Sequence, residues 1–148
     1  DDIPWQFSRV SNQRELNALL QKKEKGTKIL GGLIGSEGSH ALEGDLDNIQ
    51  KLYDAGFRMM SLQHFFDNKL GGSLHGHSNE GLTTFGKQAV REMDRLDIMI
   101  DVSHSSPQVV EDVLALTDSP LIVSHTGLHG HCPTHRNISD QLMTQIAE

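Results

Sequence analysis

Two stretches that end alike carry the first chemical signal: "IMIDVSH" finishes at His104 and "PLIVSH" at His125. Each is an apolar, β-branched run suited to a buried strand, yet each closes on Ser-His. "GGLIGSE" closes on Glu37 and "FRMMSLQH" on His64, so four apolar runs each end in a side chain able to bind a metal ion. A lone histidine after a strand is commonly a hydrogen-bonded structural residue, but four donors at equivalent positions point to one shared site. Neutral imidazole together with carboxylate suits Zn²⁺ or a similar divalent ion. Asp101, Ser103 and Ser124 flank the two histidines and are candidates for orienting them through hydrogen bonds. Asp101 would serve equally well as a buried structural residue.

For four strand ends to meet, the strands must run parallel, because parallel α/β folds gather their strand C-termini on one face. The chain supplies the required alternation. Ser11 to Lys25 places Leu16, Leu19 and Leu20 at helical spacing with Gly26 as the stop. "TKILGGLIGSEG" reads as a strand, and Asp45 then caps "LDNIQKLYDAG", whose apolar positions recur every three or four residues. "FRMMSLQH" and "TTFGKQAVREMDRL" form a second strand and helix, "IMIDVSH" and "SPQVVEDVLALT" a third, "PLIVSH" and "SDQLMTQIAE" a fourth. Pro107 is tolerated in a helical first turn.

The expected fold is therefore α/β: four consecutive β/α units of a (β/α)8 TIM-type barrel, a partial barrel preceded by a helix. Residues 1–26 form a helical lead-in and residues 27–148 the four units, together a single incomplete barrel domain. A half-barrel cannot close, and its outer strands would leave N–H and C=O groups unpaired. A homo-oligomer, or completion by a further segment, is the expected remedy. A small open α/β sheet covered on both faces is the alternative that needs no partner.

At 148 residues the chain can bury roughly 70% of its unfolded surface and support its own core. The formal charge of -7 argues against a general nucleic-acid or lipid-headgroup surface, which needs clustered Lys and Arg. The short basic cluster "QKKEKGTK" reads as the exposed end of a helix. One cysteine, Cys132, allows no internal disulfide, and no apolar run approaches the roughly 20 residues of a membrane span. No compartment follows from these features.

"GGLIGSEGSHAL", "GFRMMSLQHFFDN", "GLTTFGKQAVREMDRLDIMIDVSHSS", "PLIVSHTG" and "HRNISD" together resemble the renal (membrane) dipeptidase family of zinc-dependent peptidases, in its bacterial branch. The resemblance runs from about Lys28 to the end, in order and spacing. It implies a (β/α)8 barrel with two zinc ions that hydrolyses dipeptides. It also implies that Glu37 bridges the metals and that His104 and His125 ligate the second one. His64 would contact the substrate carbonyl, and Arg136 would grip the substrate. No His-x-Asp pair, the family's first-strand contribution to the other zinc, precedes Glu37, and the aspartate of its last strand has no counterpart. The chain thus resembles the middle of a dipeptidase, expected to hold one zinc weakly or none and to be weakly active or inactive alone.

Two loops invite other readings. His129, His131, Cys132 and His135 are close enough in sequence for a small structural zinc site. "HGHSNEG", with His75 and His77, reads as a mobile glycine-rich loop over the main site. Two competing functions also stand: a non-catalytic half-barrel used for binding or assembly, and a related metal-dependent amidase, since fold and metals do not fix the substrate.

Overall fold

Helix boundaries fall where capping chemistry places them. The computed structural model describes residues 6–148. A short strand, β1 (Gln6–Arg9), leads into α1 (Gln13–Glu24). The Asn12 side chain accepts the Glu15 N–H at 3.0 Å, and the Glu15 carboxylate accepts the N–H and hydroxyl of Ser11, each at 2.8 Å. This reciprocal cap satisfies N–H groups that the first turn leaves without partners. Gly26, at φ +84°, ends the helix in the left-handed region, where a side chain would be strained. Over residues 6–26 the lead-in is therefore strand and helix rather than helix alone, residues 1–5 lying outside those described; "QFSR" carries no apolar run, and three of its four residues are exposed.

The single strand expected over residues 27–37 is divided. β2 (Ile29–Gly32) pairs with β1, whereas β3 (Ile34–Ser36) pairs with β4 (Phe57–Ser61), both in parallel. The run changes partner at Leu33, with a register irregularity between Ile34 and Gly35. Glycines flank the bend where neighbouring side chains come close. A Cβ on Gly31 would lie 2.5 Å from Leu19 Cδ1, and one on Gly35 would lie 2.7 Å from Met59 Cε.

The helices that follow keep to their expected places. α2 (Asp47–Asp54) starts beyond Leu46, and Asp45 reaches it by accepting the Asp47 N–H at 3.0 Å rather than by occupying the cap itself. α3 (Thr84–Arg95) is capped by Thr83, α4 (Pro107–Leu114) by Ser106 and α5 (Asp140–Ala147) by Ser139, each through its hydroxyl. β3, β4 and β5 (Met99–Asp101) form a three-stranded parallel sheet in that order. The fourth expected strand, "PLIVSH", shrinks to a single parallel bridge between Ile122 and Asp101. Ile122 donates to Ile100 O and Val102 to Ile122 O, each at 2.9 Å. Among the described residues nothing pairs with its other side, and a ladder supported from one side stays short.

One face of this α/β layer is dry. Met60, Leu62 and Ile100 pack with Val90, Met93 and Val113 of α3 and α4, all at most 2% exposed. Each such side chain contributes about 1.5–3 kcal/mol when fully buried. The other face is an open groove lined by Gly35, Met59, Asp101 and Ser124, with Glu37 and His125 at its end.

Candidate metal centre and active site

The parallel strands deliver their ends to one place. Glu37 follows β3, His64 lies just beyond β4, His104 follows β5, and His125 follows the Ile122 bridge. Glu37 Oε1 lies 3.2 Å from His104 Nε2, 3.0 Å from His125 Nε2 and 3.6 Å from His64 Nε2. The two histidines that close the Ser-His runs have their Nε2 atoms 2.9 Å apart. Ligand atoms of Glu37, His64 and His104 all lie within 4.8 Å of one another, and His125 adjoins this group through Glu37 and His104.

The repeated Ser-His pair owes its sequence to Asp101, which is 1% exposed. Asp101 Oδ1 accepts the N–H groups of Ser103 at 3.0 Å and Ser124 at 3.1 Å, while Oδ2 accepts the Ser124 hydroxyl at 2.6 Å. Because that hydroxyl donates to Asp101, its 2.9 Å contact with His125 Nδ1 is one in which the imidazole donates. Ser103 Oγ in turn accepts the His125 N–H at 3.2 Å. Each serine therefore ties its own strand end to the other, and the relay from His125 through Ser124 to Asp101 leaves His125 Nε2 bare.

His104 is held differently. It is 4% exposed and sits at φ 67°, a left-handed backbone that costs a non-glycine residue roughly 1 kcal/mol and persists only where surroundings enforce it. The enforcement comes from the 64–80 loop: Leu74 N–H donates to His104 O at 2.8 Å, and Ser73 Oγ lies 3.2 Å from the same oxygen. Burial first, then the positive charge of Arg136 and the neighbouring histidines, pushes the His104 imidazole below its usual pKa, against the opposing effect of a hydrogen bond to Glu37. Neutral imidazole is the form that ligates metal. Its Nδ1 is buried without a partner.

These donors fit a divalent cation. Two imidazole nitrogens and a carboxylate oxygen lie within 3.2 Å of one another, and the relay to Asp101 leaves His125 Nε2 without a proton. Lone pairs so crowded repel, and a cation between them reverses the sign of the interaction. Arg136 reaches the same place: Nη2 donates to His125 O at 2.8 Å and lies 3.4 Å from His104 Nε2, while Nη1 is buried without a partner.

The 64–80 loop is a built part of the site rather than the mobile cover its glycines suggested. The Asp67 carboxylate accepts the N–H groups of Ser73, His77 and Ser78 at 2.8, 2.9 and 3.1 Å, contacts that hold its own pKa below the usual value, Ser73 first. Ser73 Oγ donates to His64 O at 2.5 Å. Phe65 lies with its ring centroid 4.3 Å from His64, 5.2 Å from His75 and 5.6 Å from His104. Ser73, Phe65 and Asp67 were not singled out in the sequence, and His75 entered only as part of a glycine-rich loop over the site, because none of them stands at a strand end. The other histidine-rich loop does not gather donors: His129 Nδ1 faces Thr134 O at 3.3 Å and Cys132 is exposed. Among the described residues the one group of three or more such donors is that of Glu37, His64 and His104.

Comparison with known proteins decides the family. The model of the membrane dipeptidases, peptidase family M19, matches residues 4–148. The chain belongs to the membrane dipeptidase family. Mouse Dipeptidase 3 is 35% identical over 123 residues, which cover 79% of this membrane dipeptidase chain and 25% of the mouse protein. A solved amidohydrolase from Pseudomonas aeruginosa superposes with a TM-score of 0.84 at 26% identity over 96% of this chain and 42% of its own. A metallopeptidase from Rhodobacter sphaeroides, solved with a phosphinate mimic of L-Ala-D-Ala, gives 0.76 at 27% identity over 95% of this chain and 40% of its own. The chain thus spans a quarter of the mouse relative and about two fifths of these solved proteins. No helix among the described residues is long and apolar enough to cross a membrane.

Proposed function

We propose that these residues form four β/α units of a TIM-type barrel, led in by residues 1–26, and carry part of the active site of a zinc-dependent dipeptidase. Glu37, His104 and His125 would hold one divalent ion, and Glu37 would also face the second position of a binuclear centre. A bound divalent ion supplies Lewis acidity toward water and toward a peptide carbonyl. The chain's own residues do the rest. Asp101 and Ser124 keep the His125 proton on Nδ1, so that Nε2 stays a donor of its lone pair. His64, 3.6 Å from Glu37, is placed to donate to a carbonyl oxygen as negative charge develops on it. Arg136 offers a planar fork for a substrate carboxylate, which favours short peptides with a free C-terminus.

The observation that carries this reading is the meeting of His104 Nε2, His125 Nε2 and Glu37 Oε1 within 3.2 Å. The dipeptide mimic bound by the Rhodobacter sphaeroides relative supports the substrate class; the Pseudomonas aeruginosa amidohydrolase favours a second reading, hydrolysis of other amides. Elemental analysis after zinc loading and desalting tests the metal assignment. At most one zinc per chain is expected, lost in His104→Ala and His125→Ala alike. Two tightly held ions would overturn the partial-site reading, and retention by both variants would overturn the ligand set. Dipeptide hydrolysis with added Zn²⁺, run beside a simple amide, is expected to be weak and to favour the dipeptide.

A further inference from the structure

Two polar atoms near the metal donors are left unsatisfied by folding. Arg136 Nη1 and His75 Nε2 are both buried, and neither has a hydrogen-bond partner. Both belong to side chains that crowd His104. Arg136 Nη2 lies 3.4 Å from His104 Nε2, and the His75 ring centroid lies 5.5 Å from that of His104. A buried donor without a partner costs about 1–3 kcal/mol, and such groups in a folded protein call for a reason. The His75 ring is not there by looseness of its loop. Its own N–H donates to Ser73 Oγ at 3.2 Å, Gly76 N–H donates to Ser73 O at 3.0 Å, and Asp67 holds Ser73, His77 and Ser78. Gly76 packs so closely on Asp67 that an added Cβ would meet its carboxylate. The loop spends these contacts on fixing an imidazole that itself has no partner.

We infer that His75 is a positioning residue for the substrate carboxylate, donating from Nε2 beside Arg136 so that one carboxylate satisfies both orphaned groups. This rests on the dipeptidase reading and adds a residue that the strand-end pattern did not contain. A carboxylate has two oxygens and about four lone-pair sites, enough for an arginine fork and one imidazole donor together. The half-exposed Phe65 ring, 5.2 Å from His75, is the side chain that must yield for the carboxylate to enter. The arrangement discriminates against an amide at the same position, because an amide offers one acceptor oxygen and turns an N–H toward a donor.

The test is nuclear magnetic resonance titration of the whole 148-residue chain, with Zn²⁺ present, using L-alanyl-L-alanine and its C-terminal carboxamide as probes; this measures weak binding without requiring turnover. The wild-type chain is expected to bind the acid more tightly than the carboxamide. His75→Ala is expected to lose about tenfold in affinity for the acid, the scale of a hydrogen bond to a charged group, with carboxamide binding unchanged. His75→Gln, which keeps a donor at similar reach, should recover most of that loss. Equal weakening of acid and carboxamide in His75→Ala, or no change in either, would overturn the inference while leaving the metal site and the dipeptidase reading in place. Should the wild-type chain bind neither probe and no zinc, both fall together.

Discussion

Asp101 is the residue on which the geometry of the candidate metal centre turns, although it is not itself one of the converging donors. Its carboxylate takes three hydrogen bonds from the two Ser-His segments, so it sets the distance between His104 and His125. Asp101→Asn keeps the shape but removes one acceptor oxygen, leaving the Ser124 hydroxyl without its partner. Zinc affinity, measured by competition with a chromophoric chelator, is expected to fall about 10–100-fold, with a loss of about 1–3 kcal/mol in unfolding free energy because the site is buried. His104→Asn addresses the second unusual feature. Asparagine tolerates the left-handed backbone better than most residues, so the variant is expected to keep its fold by circular dichroism while zinc retention drops below detection. At this scale the sequence was informative: strand-end type and spacing singled out Glu37, His64, His104 and His125, the family resemblance added Arg136, and the fold brings the five side chains together. His75 was not among them, because its buried, unpartnered Nε2 is a property of the folded structure and not of the local sequence.

Among the elements, the 64–80 loop decides how well the site is formed. Asp67 has its pKa lowered by hydrogen bonds, the Ser73 N–H foremost, so the folded state prefers it ionised. The stability it contributes is present above its unfolded pKa of about 4 and is lost as pH falls through the lower folded value. Hydrogen exchange at Ser73, His77 and Ser78 is expected to rise as pH falls through that window once intrinsic rates are corrected, and Asp67→Asn should show fast exchange without that pH dependence. Ser106 couples the loop to α4 by capping Val109 N–H at 3.2 Å while donating to Glu80 O at 2.7 Å. Ser106→Ala is expected to cost about 1–2 kcal/mol in denaturant unfolding. Helices were legible in the sequence because caps and periodicity are local. Strand extents were less so: the division at Leu33 depends on which neighbour lies alongside, and "PLIVSH" lacks a second neighbour to extend it.

For the molecule as a whole, the open groove and the two strand edges matter most. Among the described residues β1 pairs only with β2, and Leu30 and Leu33 remain 56% and 45% exposed. Edges and apolar groups of this kind favour association. Sedimentation of the chain over a concentration series is therefore expected to show species heavier than the monomer, shifting back on dilution. Composition and patterning by themselves determined that the chain is α/β, that its strands run parallel, and which side chains stand at their ends. They could do so because helix caps, apolar periodicity and the direction of parallel strands are local consequences of residue type. Only the tertiary structure decided that Asp101 joins the two Ser-His pairs, that Asp67 ties the glycine-rich loop together, and that His75 Nε2 and Arg136 Nη1 are each buried without a partner. Those facts depend on hydrogen bonds between residues far apart in the chain, whose partners no local pattern specifies.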